Sequence, residues 1–278
     1  MARVHLADIL SYPVKSLAGG SHTRAHVQPW GVAQDRRWMV VDTAMLFMTQ
    51  REHPRMALVQ AVTQGDLLHL QAPGMVPLVV SPKRGAEACT VTVWRDTVQA
   101  EDCGERVASW MSAGIGAPCR LVHLADTRAR KLAAAYAANM DEVVSFADGF
   151  PVLLASSASL ADLNARLVKP VPMSRFRPNL VVANAPAWAE DTWRRVRIGE
   201  VVFRVSKPCE RCVMTTIDQQ TALRPDGNEP LTTLGTFRRA ATGKIMFGQN
   251  LVPENAGVVT VADTVEILDS GSSNANLK

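Results

Sequence analysis

Lys207-Pro-Cys-Glu-Arg-Cys-Val-Met-Thr-Thr-Ile-Asp218 sets two thiols, Cys209 and Cys212, three positions apart among cations, in a run with the β-branched content of a strand. How this stretch is read decides the fold. A thioredoxin-like dithiol needs its C-x-x-C at the N-terminus of a helix in a βαβ setting, whereas Val213-Met-Thr-Thr-Ile217 reads as strand. A structural zinc site needs four ligands. One C-x-x-C supplies two of them, no second C-x-x-C occurs, and His5, His22, His26, His53, His69 and His123 all lie in the N-terminal half. Two readings stay open beside these. The cysteines are buried structural residues, or one is a soft thiolate aimed at a redox metal, a state that Lys207 and Arg211 favour while also suiting an anionic cofactor.

Outward from this stretch, short β-rich runs fill the first part of the chain: 3–10, 37–42, 56–62 with 67–71 about Gly65-Asp66, 76–81, and 90–94 with 98–101 about Arg95-Asp96-Thr97. Their spacing predicts a barrel- or sandwich-like unit. Val107, Ala108, Trp110 and Met111 predict a helix over 104–113, and 119–124 returns to strand. Residues 127–140, alanine-rich and charged, are expected to be partly helical, with a domain boundary close by. Next, 150–155 reads as a buried strand running into a helix over 159–167, with Ser159 and Asp162 at capping-box spacing. Strands are expected over 179–183, 194–198 with 201–205 about Gly199-Glu200, 212–217, and 257–262 with 264–268 about Asp263. The expected division is a β-barrel-like unit over residues 1–122, a second unit over 123–268, and a Gly/Ser/Asn-rich disordered tail over 269–278.

The 278 residues are 47% hydrophobic and 20% charged, enough apolar content for a full core. With no leader pattern and no apolar run of about 18 residues, a cytoplasmic protein away from membranes is expected. Five cysteines, an odd count, suit a reducing compartment better than a disulfide framework. The net charge of +4 is too mild and dispersed for a nucleic-acid stripe. Arginines nevertheless gather in loops, at Arg36-Arg37, Arg175 and Arg177, Arg194-Arg195, Arg211 and Arg238-Arg239, which points to local anion binding.

Polar and cationic groups recur at strand ends, where loops collect on one rim of a barrel: Tyr12-Pro-Val-Lys-Ser16, Asp35-Arg-Arg-Trp38, Asp148, Ser174-Arg-Phe-Arg-Pro-Asn179 and Phe247-Gly-Gln-Asn250. Between them stand Ala158-Ser-Leu-Ala-Asp-Leu-Asn-Ala-Arg-Leu167, Ala189-Glu-Asp-Thr-Trp193 and Glu229-Pro-Leu-Thr-Thr-Leu234. Taken in order with the Cys-x-Arg-Cys-x-x-Thr-Thr-x-Asp218 run, these segments resemble the MOSC family (molybdenum cofactor sulfurase C-terminal domain). The likeness is to its two-part form, which includes the mitochondrial amidoxime-reducing component and bacterial relatives.

The resemblance implies a mixed α/β but predominantly β fold, an N-terminal MOSC-type β-barrel domain packed on a MOSC β-barrel domain with a few short helices. It implies a molybdenum–molybdopterin cofactor, a pyranopterin dithiolene without nucleotide extension, whose metal takes the catalytic Cys212 as thiolate ligand with Cys209 beside it. Implied cofactor contacts are Lys15, Ser16, Arg36, Asp148, Arg177, Asn179 and Arg211, together with Glu210 and Asn250, where the residue type departs from that of the mitochondrial protein. Lysine, serine and arginine suit a phosphate, and Asn and Asp suit a pterin edge. A carboxylate pointing at a bound anion is unfavourable, so Glu210 is expected to offer its backbone. The implied reaction is two-electron reduction of N-hydroxylated compounds: amidoximes, hydroxylamines or N-hydroxylated nucleobases. A non-catalytic cofactor-binding or persulfide-carrier role is the alternative. With no fused ferredoxin domain, electrons are expected from a separate ferredoxin, flavodoxin or flavoprotein reductase, with the basic stretch 238–244 as a candidate docking face.

Overall fold

The computed structural model describes residues 3–82, 88–125 and 129–277. Its largest element is an eight-stranded sheet in the order Gly20–His22, His5–Ser11, Leu180–Ala183, Val152–Ser156, Ile245–Pro253, Val201–Arg211, Trp193–Ile198, Val265–Ser270. Neighbours run antiparallel except Val152–Ser156 and Leu180–Ala183, a parallel pair whose crossover carries the helix Ser157–Asn164. Leu6, Ile9, Leu154, Val182, Val196, Phe203 and Leu251 form one buried cluster of this sheet. Ala155, next to Leu154 and so on the opposite face, belongs to a second cluster in which Phe176 and Phe247 stack at 3.9 Å.

The N-terminal part adds a four-stranded sheet of Trp38–Val41, Arg120–His123, Asp96–Asp102 and Ala88–Val93, and a meander of Gln60–Gln64, Leu67–Gln71 and Leu78–Val80. The helix Glu105–Ile115 turns Val107, Met111 and Ile115 inward, where they share one core with Trp38, Met56 and Leu68. Gly116, left-handed at φ 83°, ends the helix by donating its N–H to the Ser112 carbonyl. The predominantly β class expected from the sequence holds.

Several local expectations do not. The chain does not divide cleanly at residue 122, because His5–Ser11 lies inside the C-terminal sheet against Leu180–Ala183, and Arg24–Gln28 pairs with Gly257–Thr260. For the same reason 257–262 and 264–268 form no hairpin. Leu6 donates to the Asp263 carbonyl and accepts from Ala262 N–H, and Val265–Ser270 joins Trp193–Ile198 instead. Of 127–140, Thr127 and Arg128 lie outside the described residues, and no helix forms over 129–140. Arg130–Lys131 pairs with Val143–Val144 there, and the Arg130 guanidinium binds Asp96 and the carbonyls of Ser145 and Ala147. These long-range bonds outweigh the helix propensity of alanine. The helix expected over 159–167 starts earlier, capped by Ser156, because the Ser159 hydroxyl is committed to Glu190 at 2.7 Å.

Two further differences concern the C-terminal third. Phe247-Gly-Gln-Asn250, read from sequence as a loop at a strand end, lies inside the nine-residue strand Ile245–Pro253. Gly248 is obligatory in it, since a Cβ there would stand 2.7 Å from the Leu154 carbonyl at φ 78°. Buried Gln249 is satisfied by donating to Asp191 and accepting from Asn274. The residues expected as a disordered tail pack down through 277: Asn274 N–H donates to the Asp191 carbonyl and Ala275 is 1% exposed. Asp191 is thus the hub, held also by both Nη atoms of Arg238 at 2.7 and 3.0 Å.

Because this pair is buried, Asp191→Ala strands a guanidinium without a counter-charge and is expected to cost roughly 3–5 kcal/mol in urea unfolding. A loss below about 1 kcal/mol would show the pair to be solvated. Next to it, burial lifts the Glu190 carboxyl from its ordinary 4.5 to about 7. A raised value favours the native state fully below the unfolded value, and that contribution is lost as pH climbs through the folded one. Stability should therefore fall between about pH 4.5 and 7, and Glu190→Gln should flatten that limb.

Candidate cofactor site

Val201–Arg211 carries Cys209, Glu210 and Arg211 to its C-terminal end, beside Ile245–Pro253, with irregular register between Val205 and Lys207 and again between Pro208 and Glu210. The strand expected over 212–217 does not exist. Cys212 is the last extended residue, at φ −129°, and Val213–Thr216 is a 3-10 turn. The threonines that suggested a strand make the turn, as Thr215 Oγ1 donates to the Cys212 carbonyl at 3.0 Å and Thr216 Oγ1 to that of Val213 at 2.7 Å. Buried Arg175 fixes the turn from outside, donating to the Thr215 carbonyl at 3.4 Å and to Asp218 at 3.1 Å. Cys212 is left half-buried at a strand end, with Arg51 Nη2 3.4 Å from its sulfur. Cys209 takes a different cation, Arg211 Nη1 at 2.9 Å. All five cysteines are free thiols.

The loop after the first strand supplies Lys15 and Ser16, both buried. Lys15 Nζ donates to the Phe146 carbonyl at 2.9 Å and pairs with the Asp148 carboxylate. Burial lowers Lys15 below its ordinary value against the pull of Asp148. The surrounding protein pushes the Asp148 carboxyl up, but Lys15, the Trp94 N–H and Arg51 outweigh this and hold it well below the carboxylate range. Arg36 bonds Asp35 at 2.6 Å, Asn179 Oδ1 at 3.2 Å and the Arg177 carbonyl at 3.4 Å. Arg36 and Arg177 both lie against the Tyr12 ring, at 4.6 and 4.2 Å from its centroid. Arg177 is 7% exposed and its Nη2 is buried with no partner. Burial, with the charge of Arg36 adding to it, pulls Arg177 down to about 10.

Most of these side chains line one cavity of about 490 Å³. It brings together Lys15, Ser16, Arg36, Asp148, Arg177, Asn179, Glu210, Arg211, Cys212 and Asn250, every position expected from the sequence, with Cys209 among them. Asn179 is internally committed, accepting from Leu153 N–H and donating to the Leu10 carbonyl, so it positions Arg36. Glu210 turns its carboxylate to Lys207 at 3.0 Å, and Asn250 donates to the Pro208 carbonyl at 3.4 Å. The cavity also recruits Arg51, Trp94, Arg175 and Lys244, which sequence reading did not assign to the site. Trp94 did leave a signal: an aromatic residue in a hairpin turn where Asn-Gly is usual. The basic stretch 238–244 is mostly engaged, Arg238 with Asp191 and Arg239 with the carbonyls of Gly235 and Gly243. Lys244 is exposed and faces the cavity.

The wall carries Lys15, Arg36, Arg51, Arg175, Arg177, Arg211 and Lys244 against the carboxylates of Asp148 and Glu210 alone. A buried guanidinium with an unpartnered Nη2 is costly unless a ligand anion answers it. Among the described residues no group of three or more His, Cys, Asp or Glu could hold a metal. Two partly exposed thiols, of which Cys209 is engaged by Arg211, therefore suit a metal whose remaining ligands arrive with an anionic organic carrier. The residues present fit such a group.

Comparison with known proteins agrees with this chemistry. The model described as "MOSC N-terminal beta barrel domain" matches residues 3–118, and that described as "MOSC domain" matches residues 141–266. The chain is 34% identical over 281 residues to mitochondrial amidoxime-reducing component 1 of Mus musculus, covering 95% of this chain and 82% of the relative. Against the Homo sapiens protein of the same name the figures are 33% over 283 residues, 95% and 82%. Similarity extends to molybdenum cofactor sulfurase of Oryza sativa subsp. japonica, 32% identical over 88% of this chain and 32% of that protein.

If Arg177 awaits an anion, neutralising it should help the cofactor-free protein and harm binding. Arg177→Met is expected to stabilise metal-free protein by about 1–3 kcal/mol. Inorganic phosphate should raise the Tm of the wild type and leave that of the variant unmoved. A wild-type Tm insensitive to phosphate would contradict the anion-site reading.

Proposed function

The chain belongs to the MOSC family, and we propose that within it the protein is a molybdenum-dependent oxidoreductase that reduces N-hydroxylated compounds. The observation that carries this reading is a pair of partly exposed thiols, Cys209 and Cys212, in a cavity lined by surplus positive charge, with Cys212 at the strand end beside Arg51. Lys15, Ser16, Arg36, Arg177 and Arg211 would hold the phosphate of a molybdopterin, Asp148 its ring edge, and Cys212 the metal, with Asn179 positioning Arg36. When bound, that group supplies the two-electron couple that N–O cleavage requires. The overall reaction, N-hydroxyl compound plus two electrons and two protons to reduced nitrogen compound plus water, draws its protons from solvent, to which the cavity is open.

The chain's own residues position and insulate. Arg51 places a cation beside the Cys212 sulfur. Arg175 and Asp218 lock the turn that presents the sulfur. The Asp148 carboxylate balances Lys15 and keeps that cation from repelling Arg36 without relief. Electrons come from a separate ferredoxin, flavodoxin or flavoprotein reductase, with exposed Lys244 at the cavity wall as the contact for an acidic donor. The setting is the cytoplasm, with no membrane or nucleic-acid partner; among the described residues no helix is long and apolar enough to cross a membrane.

Protein from molybdenum-replete cells should carry near-stoichiometric molybdenum and reduce benzamidoxime with dithionite as donor. Cys212→Ala should bring turnover to background and release the metal. Full activity in that variant would end the ligand assignment, whereas metal without turnover on any N-hydroxylated compound would favour a cofactor or sulfur carrier.

A further inference from the structure

Trp94 is explained neither by its turn nor by the core. It occupies the two-residue connection between Val93 and Asp96, which pair as the last rung of the hairpin, and its backbone is left-handed at φ 56°. A glycine or asparagine would hold that conformation more easily, and a bulky side chain there is an outlier that points to use. Its side chain is not buried either, with 41% of the residue exposed.

The indole is nevertheless fixed on several sides. Phe47 packs against it at 4.7 Å between centroids, and Nε1 donates to Asp148 at 3.1 Å. The Arg51 guanidinium lies 4.8 Å from the ring centroid, and its Nη2 reaches the Cys212 sulfur at 3.4 Å. Among the described residues no carboxylate pairs with Arg51, so the ring and the thiol are what hold it. The cavity thus has two regions. Arg36, Arg177 and Asn179 gather about Tyr12, while Trp94 and Arg51, flanked by the Lys15–Asp148 pair, gather toward the thiol.

We propose that Trp94 is a stacking platform for substrate at the thiol end of the cavity, selecting planar, sp2-hybridised N-hydroxylated compounds such as aryl amidoximes and N-hydroxylated nucleobases over small non-planar hydroxylamines. The proposal rests on the reductase reading of this cavity. An indole partly exposed at the cavity wall and held in one orientation stacks flat π-systems at little ordering cost and without reading their substituents. Arg51 braces the ring and leaves N–H donors near the thiol, where the hydroxyl oxygen of a stacked ligand would find them.

The test uses molybdenum-loaded wild type, Trp94→Gly and Trp94→Phe, with dithionite as donor and benzamidoxime or hydroxylamine as substrate. Fluorescence titration with benzamidine gives a readout independent of turnover. Glycine suits the left-handed backbone, so this variant should fold, with a Tm near that of wild type. Trp94→Gly should lower the benzamidoxime-to-hydroxylamine ratio of kcat/KM by about tenfold or more, chiefly through KM, as expected for loss of a stacking contact. Trp94→Phe should restore most of the ratio, and benzamidine should quench wild-type fluorescence more than that of the glycine variant. An unchanged ratio with active enzyme overturns the platform while the reductase reading stands. A parallel loss of both activities together with molybdenum makes Trp94 a cofactor-positioning residue and also overturns it. Trp94-dependent quenching by benzamidine without turnover in wild type supports the platform and sinks the reductase reading.

Discussion

The contact between Asp35 and Arg36 holds the two parts of the molecule in a common purpose. Asp35, 1% exposed, accepts from Tyr12 N–H at 2.7 Å and from Arg36 Nη1 at 2.6 Å. That one carboxylate fixes the loop after the first strand and aims a guanidinium across to Asn179 and the Arg177 carbonyl, in the segment leading into the strand Leu180–Ala183. Without it, Arg36 and Arg177 would stand as like charges against the Tyr12 ring with little to oppose their repulsion. The cavity's positive surplus is tolerable because its cations are individually anchored by carbonyls, rings and a few carboxylates, leaving the net charge for a ligand.

Strain is distributed to the same place. Ser16, Arg36, Trp94 and Arg177 line the cavity and all have positive φ, at 66°, 49°, 56° and 53°. None is glycine, and such conformations cost on the order of 1 kcal/mol or more each. Main-chain bonds from outside hold them: Lys15 N–H to the Trp38 carbonyl, Arg36 N–H to that of Tyr12, and Phe146 N–H to that of Arg36. The surrounding sheets over-determine these loops, so the cavity wall is set before anything binds.

The site was legible in sequence to the extent that it is made of loop chemistry. Lys15, Arg36, Asp148, Arg177 and the cysteine pair stand out as polar or reactive groups next to strand-forming runs, and the structure draws them into one cavity. Pairing partners were not legible, because register between distant strands is not encoded locally. Nothing near His5–Ser11 announces Leu180–Ala183, and nothing in Gly248-Gln-Asn250 announces a strand until Leu154 and Asp191 are there to receive it. The threonines after Cys212 misled for a related reason, since β-branched residues serve a tight turn when their hydroxyls can reach back to carbonyls. Arg51 and Trp94 escaped notice because their roles exist only where two sheets meet.

The pairing of His5–Ser11 with Leu180–Ala183 has a consequence for the order in which the molecule is born. On the ribosome the first strand emerges long before Leu180–Ala183, and until then it can pair only on its other edge, with Gly20–His22. Lys15 and Ser16 at one end of synthesis and Asn250 near the other face the same space. The cavity is therefore complete only in a nearly finished chain, and the protein cannot fold its halves in sequence as two finished beads. Its last strands close a binding site that its first loop had opened.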